Sequence, residues 1–109
     1  MEEGSVRRLA LALPHAYEDT HRGHPSFRIN RRIFAMLRPE PRQLIVKLEP
    51  EDQHNLLEGY PAVVTPAAHY SHHGWTRIGL ETTDEALVAL SLRLAWLHVA
   101  PRRMRDSLR

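Results

Sequence analysis

Between Tyr17 and Leu48 apolar residues recur at every second position, in runs joined by links of only a few residues, and this limits the possible folds more than any other feature. Phe27 and Ile29 alternate with polar neighbours, Ile33, Ala35 and Leu37 alternate with Phe34 and Met36, and Leu44, Val46 and Leu48 alternate with Ile45 and Lys47. A period of two sends successive side chains to opposite faces of an extended strand. The links are "NRR" after Ile29 and "PEPR" after Arg38. Asn tolerates a left-handed backbone, and Pro fixes its own φ while donating no hydrogen bond, so both links carry turn chemistry. Strands joined this tightly fold back as an antiparallel meander, because a parallel return needs a long crossover.

Helical periodicity flanks the meander. Val6, Leu9 and Leu13, with Ala10, recur at steps of three and four, predicting a helix from about Gly4 to Leu13 that stops before Pro14. "EPEDQHNLLEG" has Pro50 near a helix start, acids in its first turn and Gly59 at its end, predicting a second helix from about Pro50 to Leu57. Pro61 and Pro66 reduce "YPAVVTPA" to an edge strand or loop, and a further strand is expected over Trp75 to Leu80. "TTDEALVALSLRLAWLHVA" has a cap at Thr83–Glu85 and an apolar stripe of Leu87, Leu90, Leu94 and Leu97, joined by Ala86 and Val99. Pro101 ends that helix or restarts a short basic one. The order α-β-β-β-α-β-β-α has no βαβ rhythm, so the expected fold class is α+β, an antiparallel sheet with helices packed on one face. At 109 residues the chain is expected to be a single domain, 1–109.

Composition narrows the chemistry. With no cysteine there is no disulfide, thiol nucleophile or Cys-ligated zinc. No apolar run approaches the roughly 18 residues of a membrane span, and "MEEGSVRRLALALPH" is broken by Pro14, so neither anchor nor export signal is expected and a cytoplasmic location is the default. Net charge is only +2, but seven cations lie between Arg22 and Lys47 against the single acid Glu40. Acids crowd the next segment, and the tail "PRRMRDSLR" is basic again. Fourteen of the fifteen cations are Arg, which suits planar bidentate recognition of phosphate and equally suits a compositional bias of the source genome.

The stretch "AHYSHHGWTR" invites three readings. A zinc site needs three or four converging ligands, whereas on a strand His69 and His73 face one side and His72 the other, so no metal is expected. Catalysis lacks a frame: Ser71–His72 and Glu18–Asp19 are adjacent pairs, there is no G-x-S-x-G elbow and no Gly-rich phosphate loop, so neither an enzyme nor a cofactor is expected. Nucleic-acid binding fits the residue types, with Arg for phosphates and Trp75, Tyr70 or the histidines for a groove or a base; a solvated charged sheet face fits them too.

The series "LALPHAYEDTHRGHPSFRINRRIFAMLRP", "LIVKLEPEDQHNLL", "YSHHGWTRIGL" and "LRLAWLHVAPRRM" resembles the MmcQ/YjbR family of small bacterial proteins over about Val6 to Met104. The resemblance implies a CyaY-like or secretion-chaperone-like layout. It also implies DNA binding, with hairpins acting as two wings. Carried onto this chain, the wing residues are Arg28, Arg31 and Arg32, then Tyr70, His72, His73, Trp75 and Arg77; Arg38, in the same basic hairpin segment, is counted with them. A lysine common at Arg31 or Arg32 is replaced here, and "SHHG" stands where more basic or Asn-containing versions are frequent. Residues 68–77 are expected to form a loop leading into a strand, with Trp75 packed beside the final helix or exposed as a contact, and the histidines lining a surface groove. Facing an anion, those histidines would strengthen binding below about pH 6.5. The expected partner is DNA, bound weakly through phosphates, with no membrane; the alternative is a chaperone-like protein-interaction module, with pairing as a homodimer left open.

Overall fold

The computed structural model describes residues 1–108. Helix α1 (Glu3–Leu11) leads into a meander of four strands, β1 (Tyr17–His21), β2 (His24–Ile29), β3 (Arg32–Pro39) and β4 (Arg42–Lys47). Helix α2 (Pro50–Gly59) follows, then β5 (Val64–Pro66), β6 (Trp75–Gly79), helix α3 (Glu85–Val99) and a short α4 (Arg102–Arg105). All pairings are antiparallel, in the order β1-β2-β3-β4-β6-β5. The fold is α+β as expected, and the meander has β1 in front of the three strands that alternation makes legible.

Each hairpin is built by its turn residues. Asn30 (φ 51°) and Arg31 (φ 68°) give the β2–β3 link the signature of a type I′ turn, whose twist suits paired strands. Arg22 (φ 52°) and Gly23 (φ 81°) do the same between β1 and β2, and a cis Glu40–Pro41 bond closes β3 onto β4.

Register then decides the faces. β2 pairs Phe27 with Ala35 and Arg28 with Ile33, so Phe34 is an extra residue, a β-bulge. The bulge breaks the simple alternation of β3: Phe34 joins Ala35 and Leu37 in the core, while Ile33 and Met36 serve the other face. Leu44, Val46 and Ile78 complete the helix-facing side with Phe27 and Ile29, all of them fully buried. Val6 and Ala10 of α1 and Val88, Leu92, Ala95 and Trp96 of α3 close over them. The buried stripe of α3 therefore runs through Val88, Leu92 and Ala95, not through Leu90, which is 40% exposed.

Polar contacts fix the ends of this layer. The Asp84 carboxylate accepts a 2.9 Å hydrogen bond from the Leu87 N–H and caps α3. The Trp96 indole donates to the Pro14 carbonyl at 3.0 Å, tying α3 to the link after α1. Arg7 of α1 meets Glu18 of β1 through two hydrogen bonds, at 2.5 and 3.2 Å. Among the described residues, no helix is long and apolar enough to cross a membrane.

Candidate functional site

All the helices of the core lie on one side, so the other face of the sheet keeps its side chains for something else. The strands supply a mixed surface there. Ile33 and Met36 of β3, Ile45 of β4 and Trp75 of β6 form an apolar floor, and Arg38, Gln43 and Arg77 stand beside it. Residues Ala67–Tyr70, which follow β5, fold against this floor, and His21 and Arg22 of the first hairpin approach from the opposite sheet edge. Together they enclose a cavity of about 630 Å³, inside the roughly 300–1,000 Å³ of small-molecule and cofactor sites.

Trp75 is held on this face and not beside the final helix. Its register partner is Lys47, whose ammonium lies 5.7 Å from the ring centroid, a cation–π distance. The backbone that delivers Trp75 is clamped from the helix side. Gln53 of α2 donates to the Ser71 carbonyl and to the Thr76 hydroxyl, both at 3.0 Å, and Thr76 donates on to the Gly74 carbonyl at 3.0 Å. Gly74, at φ 92°, lies so close to β4 that a Cβ there would meet the Leu48 carbonyl oxygen at 2.1 Å.

The electrostatics of the face are lopsided. Arg22, Arg38 and Arg77 line the cavity, Lys47 covers Trp75, and Arg28 stands opposite Ile33 in the register. Of the strand residues only Glu18 and Asp19 are acids; Glu18 is engaged by Arg7, leaving Asp19, opposite Ser26, on the cationic side. Among the described residues, none of these five cations is in a salt bridge. Arg28 donates to Ser26 Oγ at 3.2 Å and to the Thr20 carbonyl at 3.1 Å. Arg77 donates to Thr65 Oγ1 at 3.3 Å, and Arg38 reaches only the Leu37 carbonyl at 3.4 Å and Met36 Sδ at 3.9 Å.

Of the residues expected in the wings, Arg38, Tyr70, Trp75 and Arg77 meet at the cavity, and Arg28 shares their face. Arg31 and Arg32 are exposed at the β2–β3 turn, away from it; register pairs Arg32 with Ile29, a core residue. His72 and His73 lie in a 3₁₀ turn (Ser71–His73), their rings 4.0 Å apart, and only His69 of that cluster reaches the cavity. Among the described residues no three His or carboxylate groups are placed to share a metal ion. Sequence reasoning passed over Ile33, Met36, Gln43 and Ile45. The alternation points to Met36, Gln43 and Ile45, each the off-phase member of a strand whose other face is core, whereas Ile33 is in phase with Ala35 and Leu37 and reaches this face only through the bulge at Phe34.

A family model described as YjbR matches residues 11–98. The chain belongs to the YjbR family. No curated protein matches it. The fold of this YjbR chain recurs in the crystal structure of the Deinococcus radiodurans protein DR2400, which carries a DUF419 domain. The TM-score is 0.77 and the identity 23%, over 94% of this chain and 84% of that one. The YjbR match takes in every strand and the cavity between them, leaving outside it only most of α1 and the basic tail.

Proposed function

We propose that this YjbR chain is a binding protein for DNA, without catalysis of its own, and that it contacts phosphates through the helix-free face of its sheet. The observation that carries the reading is the set of five cations on that face, without a carboxylate partner among the described residues and opposed by one aspartate. Unpaired guanidinium groups are the commonest means of holding phosphate, and a net charge of +2 limits the field to this local patch. Arg31 and Arg32, exposed on the β2–β3 turn, extend the cationic edge and add long-range attraction. The apolar floor of Ile33, Met36 and Ile45 favours a second reading, a protein-interaction module that accepts an extended peptide.

The test is a titration of a fluorescent duplex of about 20 base pairs at salt concentrations between about 50 and 200 mM, where affinity should fall with a log–log slope near −0.9 per phosphate contacted. Arg38→Ala with Arg77→Ala should reduce that slope by about 2, and Arg31→Ala with Arg32→Ala should reduce it by less. Absence of binding to the duplex and to a single strand of the same length, at about 100 μM protein and low salt, within the usual non-specific range, would remove the DNA reading and leave the peptide one.

A further inference from the structure

The cavity holds more than phosphate chemistry can use. Phosphate contacts need cations at a surface, yet here the cations ring a recess whose floor is Ile33, Met36, Ile45 and Trp75, with the ring of Tyr70 at its rim. A duplex presents its phosphates outward and keeps its bases stacked, so the floor would stay wet beneath it. The apolar surface on a nucleic acid is the face of a base, and that face is available only when the base is unstacked.

We infer that the cavity takes a single unpaired base of a DNA strand, with the base against Trp75 and the flanking phosphates on Arg38 and Arg77. This rests on the DNA reading above and deepens it, making single strands the preferred ligand. Three further observations support it. Trp75 is pre-positioned, since Gln53 and Gly74 fix the backbone on its N-terminal side and Lys47 its ring. Tyr70, 64% exposed at φ 64°, stands at the rim with its ring stacked near that of His73 and offers a second aromatic surface to an entering base. Gln43, half-buried beside the floor, has no side-chain hydrogen bond among the described residues and offers a donor and an acceptor to a base edge.

The experiment compares three polymers of one length with the intact chain at one salt concentration, an oligothymidine strand, a duplex and a strand of abasic sugar-phosphates, and adds free thymidine monophosphate as a fourth ligand. Intrinsic fluorescence serves as the readout, because Trp96 is fully buried and Trp75 alone lines the cavity. Oligothymidine should bind at least about 10-fold tighter than either of the others and quench the emission. Removing one stacking ring by Trp75→Ala should weaken it by about 5- to 150-fold. Should Trp75→Ala fail to fold, the abasic comparison on the unaltered chain decides alone. Equal binding of the strand and the abasic strand would overturn the inference, as would equal binding of strand and duplex, while both leave the phosphate reading standing. Free thymidine monophosphate binding as tightly as the strand would overturn it in favour of a nucleotide site. Failure of all three polymers to bind would overturn inference and DNA reading together.

Discussion

At the scale of single residues, the cavity depends on one glycine. Gly74 joins the 3₁₀ turn to β6 at φ 92°, and the Leu48 N–H donates to its carbonyl at 2.9 Å, pinning the turn to the end of β4. Any side chain there meets backbone, not a movable side-chain tip, so Gly74→Ala should cost about 3 kcal/mol or more, the sum of left-handed strain and a displaced strand end. Gly23 shares the positive φ, at 81°, but a Cβ added to it would find no other atom within 4 Å. Gly23→Ala should therefore cost only about 1 kcal/mol, the conformational part alone. Chemical denaturation of the two variants separates the contributions. Similar losses for both would show that the close approach to Leu48 is not what holds the turn.

At the scale of elements, the partial burial of His98 at the end of α3, among charges of β4, α2 and α4, makes stability depend on pH. Burial at the end of α3, reinforced by Lys47 and Arg105, pushes the His98 imidazole below its ordinary value, against a smaller opposing pull from Glu49 and Asp52. Burial also raises the Asp52 carboxyl, with Glu49 and Glu51 adding to it. The unfolded chain therefore takes up the histidine proton first, near pH 6.5, while the folded chain resists it. The His98 contribution is complete above that pH and is lost as pH falls from about 6.5 through the lowered folded value. Asp52 works in the opposite sense at lower pH: its contribution is present below the ordinary carboxylate value and disappears as pH rises through the raised one. Unfolding curves between about pH 7.5 and 5.5 should show stability falling with acid, and His98→Gln should flatten that slope. A slope unchanged by His98→Gln would contradict the assignment.

The same scale explains what could be read from the sequence. The three apolar runs of the meander are legible because each strand has one core face and one polar or mixed face, and α2 because its proline, acids and glycine mark both ends. β1 is not, since "YEDTH" is an edge strand exposed at all but its last residue and has no apolar alternation to display. The stripe on α3 is read only in part because leucines surround that helix: Leu87 and Val99 are buried and Leu94 and Leu97 pack against the core, but Leu90 is exposed, and the sheet and α1 select a side centred on Val88, Leu92 and Ala95. The bulge at Phe34 is equally invisible, because it is set by pairing with β2. Trp75 and Arg77 stand out as candidates by residue type, whereas the cavity around them comes from a non-local approach of Ala67–Tyr70 and the first hairpin to one sheet face.

At the scale of the whole molecule, the division of labour between two sheet faces is the central feature. One face buries Phe27, Leu37, Leu44 and Ile78 under α1 and α3; the other carries, among the described residues, cations outside any salt bridge around an apolar recess. Substitution of Arg38 or Arg77 by Ala should leave the melting temperature nearly unchanged while altering binding, as surface changes away from core and caps usually do. The most direct measurement is a ¹H–¹⁵N spectrum of the labelled chain titrated with a short DNA strand. The amides of Met36–Arg38, Gln43–Lys47, His69–Tyr70 and Trp75–Arg77 should shift together, while those of α3 stay in place and those of the Asn30–Arg32 turn move less. Shifts centred on the Asn30–Arg32 turn or on α4, with the β3, β4 and β6 amides unmoved, would contradict a binding site on the helix-free face.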